Sequence, residues 1–238
     1  MQSTKPIILC TGPVDESVIS SPEYKDATID VIPFTTISTE LPESTQRQIK
    51  DILTKKTVVV FTSSNAVRSV GSYMKEQPAG WTIFCIGNTT FSQAKKYFGE
   101  ENIRDTASTA SKLAVKIIPV INEGEVVFFC GNLRRSELPD ALREKGIAVK
   151  EIIVYKTSFA PVSINKKYDA VLFFSPSAAE SFFSRNSVPR NTALFVMGET
   201  TAESIKKFST NQIITGDEPD KNKLISQAIR FVLDDRFS

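Results

Sequence analysis

Histidine is absent from all 238 residues. No Ser-His-Asp or Cys-His nucleophile can therefore be assembled, and no histidine-containing zinc site. Cysteine is scarce and odd in number. Cys10, Cys85 and Cys130 each end an apolar run, as small core residues of a reducing compartment do. Three scattered thiols do not make a Cys-only zinc site either. The ten glycines form no G-x-G-x-x-G, and no Gly-Lys-Ser/Thr occurs. These absences predict a protein with no tightly held metal and no dinucleotide. No apolar run approaches the ~20 residues that span a bilayer, and the opening Met1–Leu9 lacks a leader-like apolar core. A formal charge of +2 is too small to announce nucleic acid as a partner. The expectation is a cytoplasmic monomer that binds neither nucleic acid nor membrane.

What is present is a repeat. Val58-Val-Val-Phe-Thr-Ser-Ser-Asn-Ala-Val67 is answered by Ala170-Val-Leu-Phe-Phe-Ser-Pro-Ser-Ala-Ala179, with Phe61, Ser63 and Ala66 matching Phe173, Ser175 and Ala178 at an offset of 112. Farther on, Cys85-Ile-Gly-Asn-Thr-Thr90 meets Val196-Met-Gly-Glu-Thr-Thr201. Each copy is a buried apolar run, a hydroxyl-rich turn and a helix. A helix start carries unpaired N–H groups and partial positive charge, so each copy makes an anion-accepting edge. Two such edges suggest one ligand held between two similar domains.

Short β-rich runs alternate with helical patterns. Strands are predicted at 7–11, 29–33, 57–62, 82–86, 102–104, 125–130, 147–155, 168–174, 192–197 and 211–214. Helices are predicted at 42–54, 65–76, 89–98, 108–121, 136–145, 177–185, 200–208 and 221–234, with a weaker pattern at 15–24. Ser136 reads as an N-cap. Continuous rather than alternating apolar strands point to parallel sheets covered on both faces. The second copy lacks two strands that the N-terminus holds, and Ile8-Leu-Cys-Thr11 resembles Phe128-Phe-Cys-Gly131. The economical division is a discontinuous domain, 1–33 plus 158–238, with a second domain, 40–150, inserted. The crossing segments 34–39 and 151–157 are β-prone and suited to pair as a two-stranded ladder.

An ordered set of motifs then resembles the uroporphyrinogen-III synthase family: Phe61–Val67, Gly87–Thr90, Cys130-Gly131 with Arg134, Leu138…Val154-Tyr155-Lys156-Thr157, Asp169–Ala179 and Gly198–Ala202. Gly12-Pro13, after the first strand, departs from the family pattern. The resemblance implies two doubly wound, flavodoxin-like α/β domains joined by a β-ladder, with the site in the cleft. It implies a cofactor-free lyase that closes hydroxymethylbilane with loss of water, inverting the terminal pyrrole ring to give uroporphyrinogen III. A non-enzymatic two-domain module binding a polycarboxylate ligand is the alternative reading.

Such a substrate is rich in carboxylates, and a chain of charge +2 must meet them largely with backbone N–H groups. Ser63, Ser64 and Asn65 in one copy, and Ser175 and Ser177 in the other, open helices; each is a candidate substrate contact and equally a plain cap. Gly87, Gly131 and Gly198 let backbone approach a ligand, or serve tight turns. Thr89, Thr90, Thr200 and Thr201 offer hydroxyls to carboxylates or to the departing hydroxyl. Arg134 offers a guanidinium, or a solvated helix face. Tyr155 is the side chain that donates a proton while staying neutral near pH 7, and the resembling family places its candidate acid there. A ladder aromatic is its plainer role.

Overall fold

The computed structural model describes residues 5–74, 80–121, 124–218 and 220–234. In chain order these form β1 (Ile7–Cys10), α1 (Glu16–Ile19), β2 (Thr28–Val31), β3 (Thr35–Ser38), α2 (Glu43–Leu53), β4 (Thr57–Phe61), α3 (Ser64–Tyr73), β5 (Trp81–Ile86), α4 (Asn88–Phe98), β6 (Ile103–Ala107), α5 (Ala110–Ile117), β7 (Glu125–Gly131), α6 (Glu137–Arg143), β8 (Ala148–Phe159), β9 (Ala170–Phe173), α7 (Pro176–Phe183), β10 (Ala193–Val196), α8 (Glu199–Lys206), β11 (Ile213–Thr215) and α9 (Lys221–Asp234).

The chain divides into two compact units, Met1–Thr36 with Ser158–Ser238, and Ile37–Thr157. Unit 1 holds a five-stranded sheet in the order β11-β10-β9-β1-β2, and the strand pairs within it are parallel. Unit 2 is built on the order β6-β5-β4-β7-β8, again with parallel pairs, and β3 lies beyond β8 in the same sheet. Laid side by side, β4, β5 and β6 take the places of β9, β10 and β11, while β7 and β8 take those of β1 and β2. The two units are thus circular permutants of one doubly wound plan.

Continuous apolar runs become strands here because both faces of each sheet are covered. In unit 2, Val59, Phe61, Val127 and Phe129 pack beneath α2, α3 and α4. Their neighbours Val60, Phe84, Val126 and Phe128 pack on the other face against α5 and α6. In unit 1, α9 lays Leu224, Ile225, Ala228, Ile229 and Val232 over Ile8, Leu172 and Phe195. Phe182, Ala202 and Ile205, from α7 and α8, cover Leu9, Phe173 and Leu194. Each large side chain so buried contributes about 1.5–3 kcal/mol of transfer free energy.

Several predicted elements are trimmed for local reasons. The pattern at 15–24 yields only the short α1 and a 3-10 turn at Pro22–Tyr24, because Ser21 stands extended before proline and its hydroxyl accepts from the Glu23 amide. The helix predicted over 108–121 starts at Ala110 behind the Thr109 cap and gives way to a 3-10 turn at Ile118–Val120, where Pro119 has no N–H to donate. Ser136 is no side-chain cap: its backbone is already helical, and its hydroxyl makes no cap hydrogen bond. The α3 helix ends at Tyr73; positions 75–76 of that prediction lie outside the described residues. The strand expected at 147–155 continues as β8 to Phe159.

Candidate active site

In an open α/β sheet, ligands bind beyond the carboxyl ends of the strands, where the strand order reverses. In unit 2 that point lies between β4 and β7. Ser63 follows β4 and stands at the head of α3; its backbone is extended, and its hydroxyl accepts from the Asn65 amide at 3.2 Å. Ser64 and Asn65 are half-buried in the first turn, and the Asn65 carbonyl oxygen accepts from Arg68 at 2.5 Å.

Tyr155 reaches this point through a β-bulge. Cys130 is in register with Ile153, but Gly131 is in register with Tyr155, so β8 carries one extra residue, Val154. Side chains on a strand alternate faces, and an extra residue resets the alternation. Ile152 and Val154 point into the core beneath α3, Ile153 is 53% exposed, and Tyr155 packs on the same core as Val154. The Val154 carbonyl accepts the buried Ser69 hydroxyl. Asn132 then clamps β8 beyond the tyrosine: its side chain donates to the Thr157 carbonyl at 3.1 Å and accepts the Thr157 amide at 2.7 Å, and its own amide donates to the Tyr155 carbonyl at 3.3 Å.

The phenol lies across Gly131. A Cβ there would sit 2.6 Å from Tyr155 Cε2 and 2.7 Å from its oxygen, so glycine is required by space. Burial raises the Tyr155 pKa above its ordinary value; a hydrogen bond with the Ser63 hydroxyl opposes this, and the Cys130 thiol adds to it. A hydrogen bond that lowers a phenol's pKa is donated to its oxygen and stabilises the phenolate. The phenol is therefore uncharged at neutral pH.

The remaining predicted contacts are spread along the same edges. Gly87 has φ +79°, the left-handed region that favours glycine, and nothing stands within 4 Å of where its Cβ would be. Gly198, its counterpart in unit 1, is extended at φ −179° and equally open, so neither backbone nor neighbours require glycine there. The hydroxyl residues after these glycines divide alike: Thr89 and Thr200 are exposed, whereas Thr90 and Thr201 are buried. Ser175 caps α7, accepting the Ala178 amide at 3.2 Å, and lies 3.1 Å from the Ser177 hydroxyl. Arg134 is paired with Glu151, which also accepts Arg143 at 2.6 Å; a substrate carboxylate would have to compete with Glu151 for that guanidinium.

The permuted repeat is chemically lopsided. Thr11 stands in unit 1 where Gly131 stands in unit 2, is fully buried, and spends its hydroxyl on the Leu172 carbonyl at 2.8 Å. Among the described residues, unit 1 has no counterpart of the tyrosine seated on Gly131. Sequence reasoning named Gly131 and Tyr155 separately and missed Asn132, Ser69 and the bulge that joins them. The three thiols are buried, which pushes Cys10 and Cys85 up to about 12 and Cys130 to about 11, far from thiolate formation. Among the described residues, no three His, Cys, Asp or Glu side chains gather as a metal site, and no helix is long and apolar enough to cross a membrane.

The fold and the edge chemistry define a doubly wound α/β protein of two permuted units, with a half-buried phenol near the switch point of one. The family described as uroporphyrinogen-III synthase HemD matches residues 21–226, and the chain belongs to that family of cyclising lyases. Enzyme, not passive binding module, is therefore the correct class. The match begins beyond the atypical Gly12-Pro13. Among solved structures, a mutant uroporphyrinogen III synthase from the extreme thermophile Thermus thermophilus, as its selenomethionine derivative, is similar with a TM-score of 0.68 at 15% identity, over 97% of this chain and 99% of that one. Uroporphyrinogen-III synthetase from Helicobacter pylori gives 0.61 at 17% identity, over 96% and 100%. The wild-type Thermus protein in another crystal form gives 0.53 at 15% identity, over 98% and 100%. At these identities the structures speak for the fold.

Proposed function

We propose that Tyr155 is the general acid for closure of hydroxymethylbilane to uroporphyrinogen III. The observation that carries this reading is the phenol laid across Gly131, next to the β4–β7 switch point and uncharged at neutral pH because burial raises its pKa. Tyr155 gives its proton to the terminal hydroxyl, the carbon–oxygen bond breaks, and water leaves. The azafulvene left behind is a strong electrophile, attacked by the substituted carbon of the last pyrrole ring. That attack forms a spiro centre with no hydrogen to lose. The older bond from this carbon to the methylene of the preceding ring then breaks, and the methylene azafulvene so released is captured by the unsubstituted α-carbon of the inverted ring. The proton lost from that carbon balances the one Tyr155 gave, so the phenol is restored without net change. Ser63 supports the transient phenolate.

An unguided azafulvene closes to the wrong isomer, so much of the enzyme's work is positioning. The strand edges suit that task. Backbone at Gly87 and Gly198 is open to a ligand, the exposed Thr89 and Thr200 offer hydroxyls beside it, and Ser64, Ser175 and Ser177 stand at helix starts that favour anions. Thr90 and Thr201 act from beneath, Asn65 and Arg134 from the rim. No step in this scheme calls for a metal or an organic cofactor. Three reduced, inert thiols suit the cytoplasm, and we assign the enzyme there as a monomer.

Incubating the chain with freshly generated hydroxymethylbilane and separating the product isomers tests the reading. Uroporphyrinogen III is expected well above the spontaneous yield of isomer I. Isomer I alone would reject it.

A further inference from the structure

Ser69 and Ser181 match across the internal repeat at the offset of 112 that also relates Ser63 to Ser175. Each lies inside its helix, Ser69 in α3 and Ser181 in α7, and both are buried, at 4% and 0% exposure. Their hydroxyls fare differently. A mid-helix serine commonly bonds back to its own helix. Ser69 instead donates to the Val154 carbonyl, 85 residues farther along the chain. The Ser181 hydroxyl has no hydrogen-bond partner among the described residues. The same serine is engaged in unit 2, where a tyrosine is seated on glycine, and idle in unit 1.

The bond falls at the bulge. Ile153 and Tyr155 have register partners in β7, and Val154 between them has none. A residue left out of the ladder lacks the hydrogen bonds that hold a regular strand in place. The Val154 carbonyl and the Tyr155 N–H belong to one planar peptide unit, so a bond that fixes this carbonyl also fixes the plane from which the Tyr155 side chain leaves. We propose that Ser69 is the positioning residue of Tyr155, holding that peptide unit so that the phenol lies over Gly131. The proposal rests on Tyr155 as the acid of the reaction assigned above. Asn132 grips Thr157 two residues farther on, so the chain is held on both sides of the tyrosine. Without the Ser69 hydroxyl, a buried carbonyl loses its donor and the peptide unit turns to find another. The acid then stands off its mark, while the groups that grip the substrate stay where they were. Ser69 touches no reacting atom and acts through Tyr155 alone.

The test is single-turnover and steady-state kinetics with freshly generated hydroxymethylbilane, with melting temperatures alongside. The proteins are the intact chain, Ser69→Ala, Tyr155→Phe, the double variant and Ser181→Ala. Misplacement of the acid should slow the single turnover of Ser69→Ala about fivefold to tenfold, with KM within about twofold. In the Tyr155→Phe background the same change should alter the rate by less than about twofold, because no phenolic proton is left to position. Ser181→Ala should match the parent in rate and melt no lower, since it removes a buried hydroxyl that has no partner. If Ser69→Ala does not fold, Ser69→Cys takes its place in the cycle: it keeps nearly the same shape with a weaker donor, and should slow the reaction only where Tyr155 is present. An unchanged rate in Ser69→Ala, beside a slowed Tyr155→Phe, overturns the proposal. So does a fall of equal size in both backgrounds, since Ser69 would then hold the fold and not the phenol. A wild-type rate in Tyr155→Phe removes the acid assignment and the role of Ser69 with it. If the intact chain forms no uroporphyrinogen III, the reaction assignment itself fails.

Discussion

Gly131, the last residue of β7, and Tyr155, within β8, are register partners, and the glycine leaves the space that the phenol fills: a Cβ at 131 would stand 2.7 Å from the phenolic oxygen. The pair is one device, a floor and the ring that lies on it. Its position depends on the bulge at Val154: in a regular strand Tyr155 would alternate with Val154 and face away from that core.

The first expected outcome concerns this contact. Gly131→Ala overpacks the site and should cost about 1–3 kcal/mol of stability in urea unfolding. In a Tyr155→Ala background the same change should cost almost nothing, because the ring is gone. Equal costs in both backgrounds would mean that the two residues do not share the space.

Gly87 and Gly198 occupy equivalent turns but should respond differently. Gly87→Ala forces a side chain into a positive-φ conformation that is essentially reserved for glycine, at about 1–3 kcal/mol. Gly198→Ala meets neither strain nor a neighbour and should leave the melting temperature unchanged within the usual surface range of about ±0.5 kcal/mol. A rise in KM for Gly198→Ala at unchanged stability is expected if ligand approaches that backbone. An unchanged KM would remove Gly198 from the substrate edge.

How much of this was legible in the chain follows from which interactions are local. The strand–turn–helix units around Ser63 and Ser175 are readable because apolar run, capping hydroxyl and helical period all lie within one short stretch. The parallel sheets follow from runs such as Ala170–Phe173, buried throughout. What sequence could not supply was register. The bulge at Val154, the Asn132 clamp on Thr157 and the Ser69 bond to Val154 join residues about 25 to 85 positions apart, and no propensity encodes such pairings. The same limit applies to Arg134, whose engagement by Glu151 depends on how α6 and β8 meet the β7 end. The two threonine pairs looked equivalent in sequence, and only their placement separates exposed Thr89 and Thr200 from buried Thr90 and Thr201.

Ser63 and Ser175 give a matched comparison. Each caps a helix through its hydroxyl, so alanine at either should cost about 0.5–2 kcal/mol of stability. Ser63 alone of the two lowers the Tyr155 pKa, against the larger effect of burial. Ser63→Ala should therefore lower the single-turnover rate several-fold, because the phenolate loses its donor. Ser175→Ala should act through KM. Equal effects of the two changes on the single-turnover rate would show that Ser63 is a cap and nothing more.

The most direct test of the account is the single-turnover rate of Tyr155→Phe with freshly generated hydroxymethylbilane, with the product isomers separated. Phenylalanine keeps the ring over Gly131 and removes only the O–H. General-acid loss commonly costs ~10²–10⁴-fold. An electron-rich pyrrole already activates this leaving group and water can stand in as acid, so a fall of roughly tenfold to a hundredfold is predicted. Isomer III should remain the product and KM should change little. A wild-type rate would contradict the account and leave Tyr155 as a packing residue within β8.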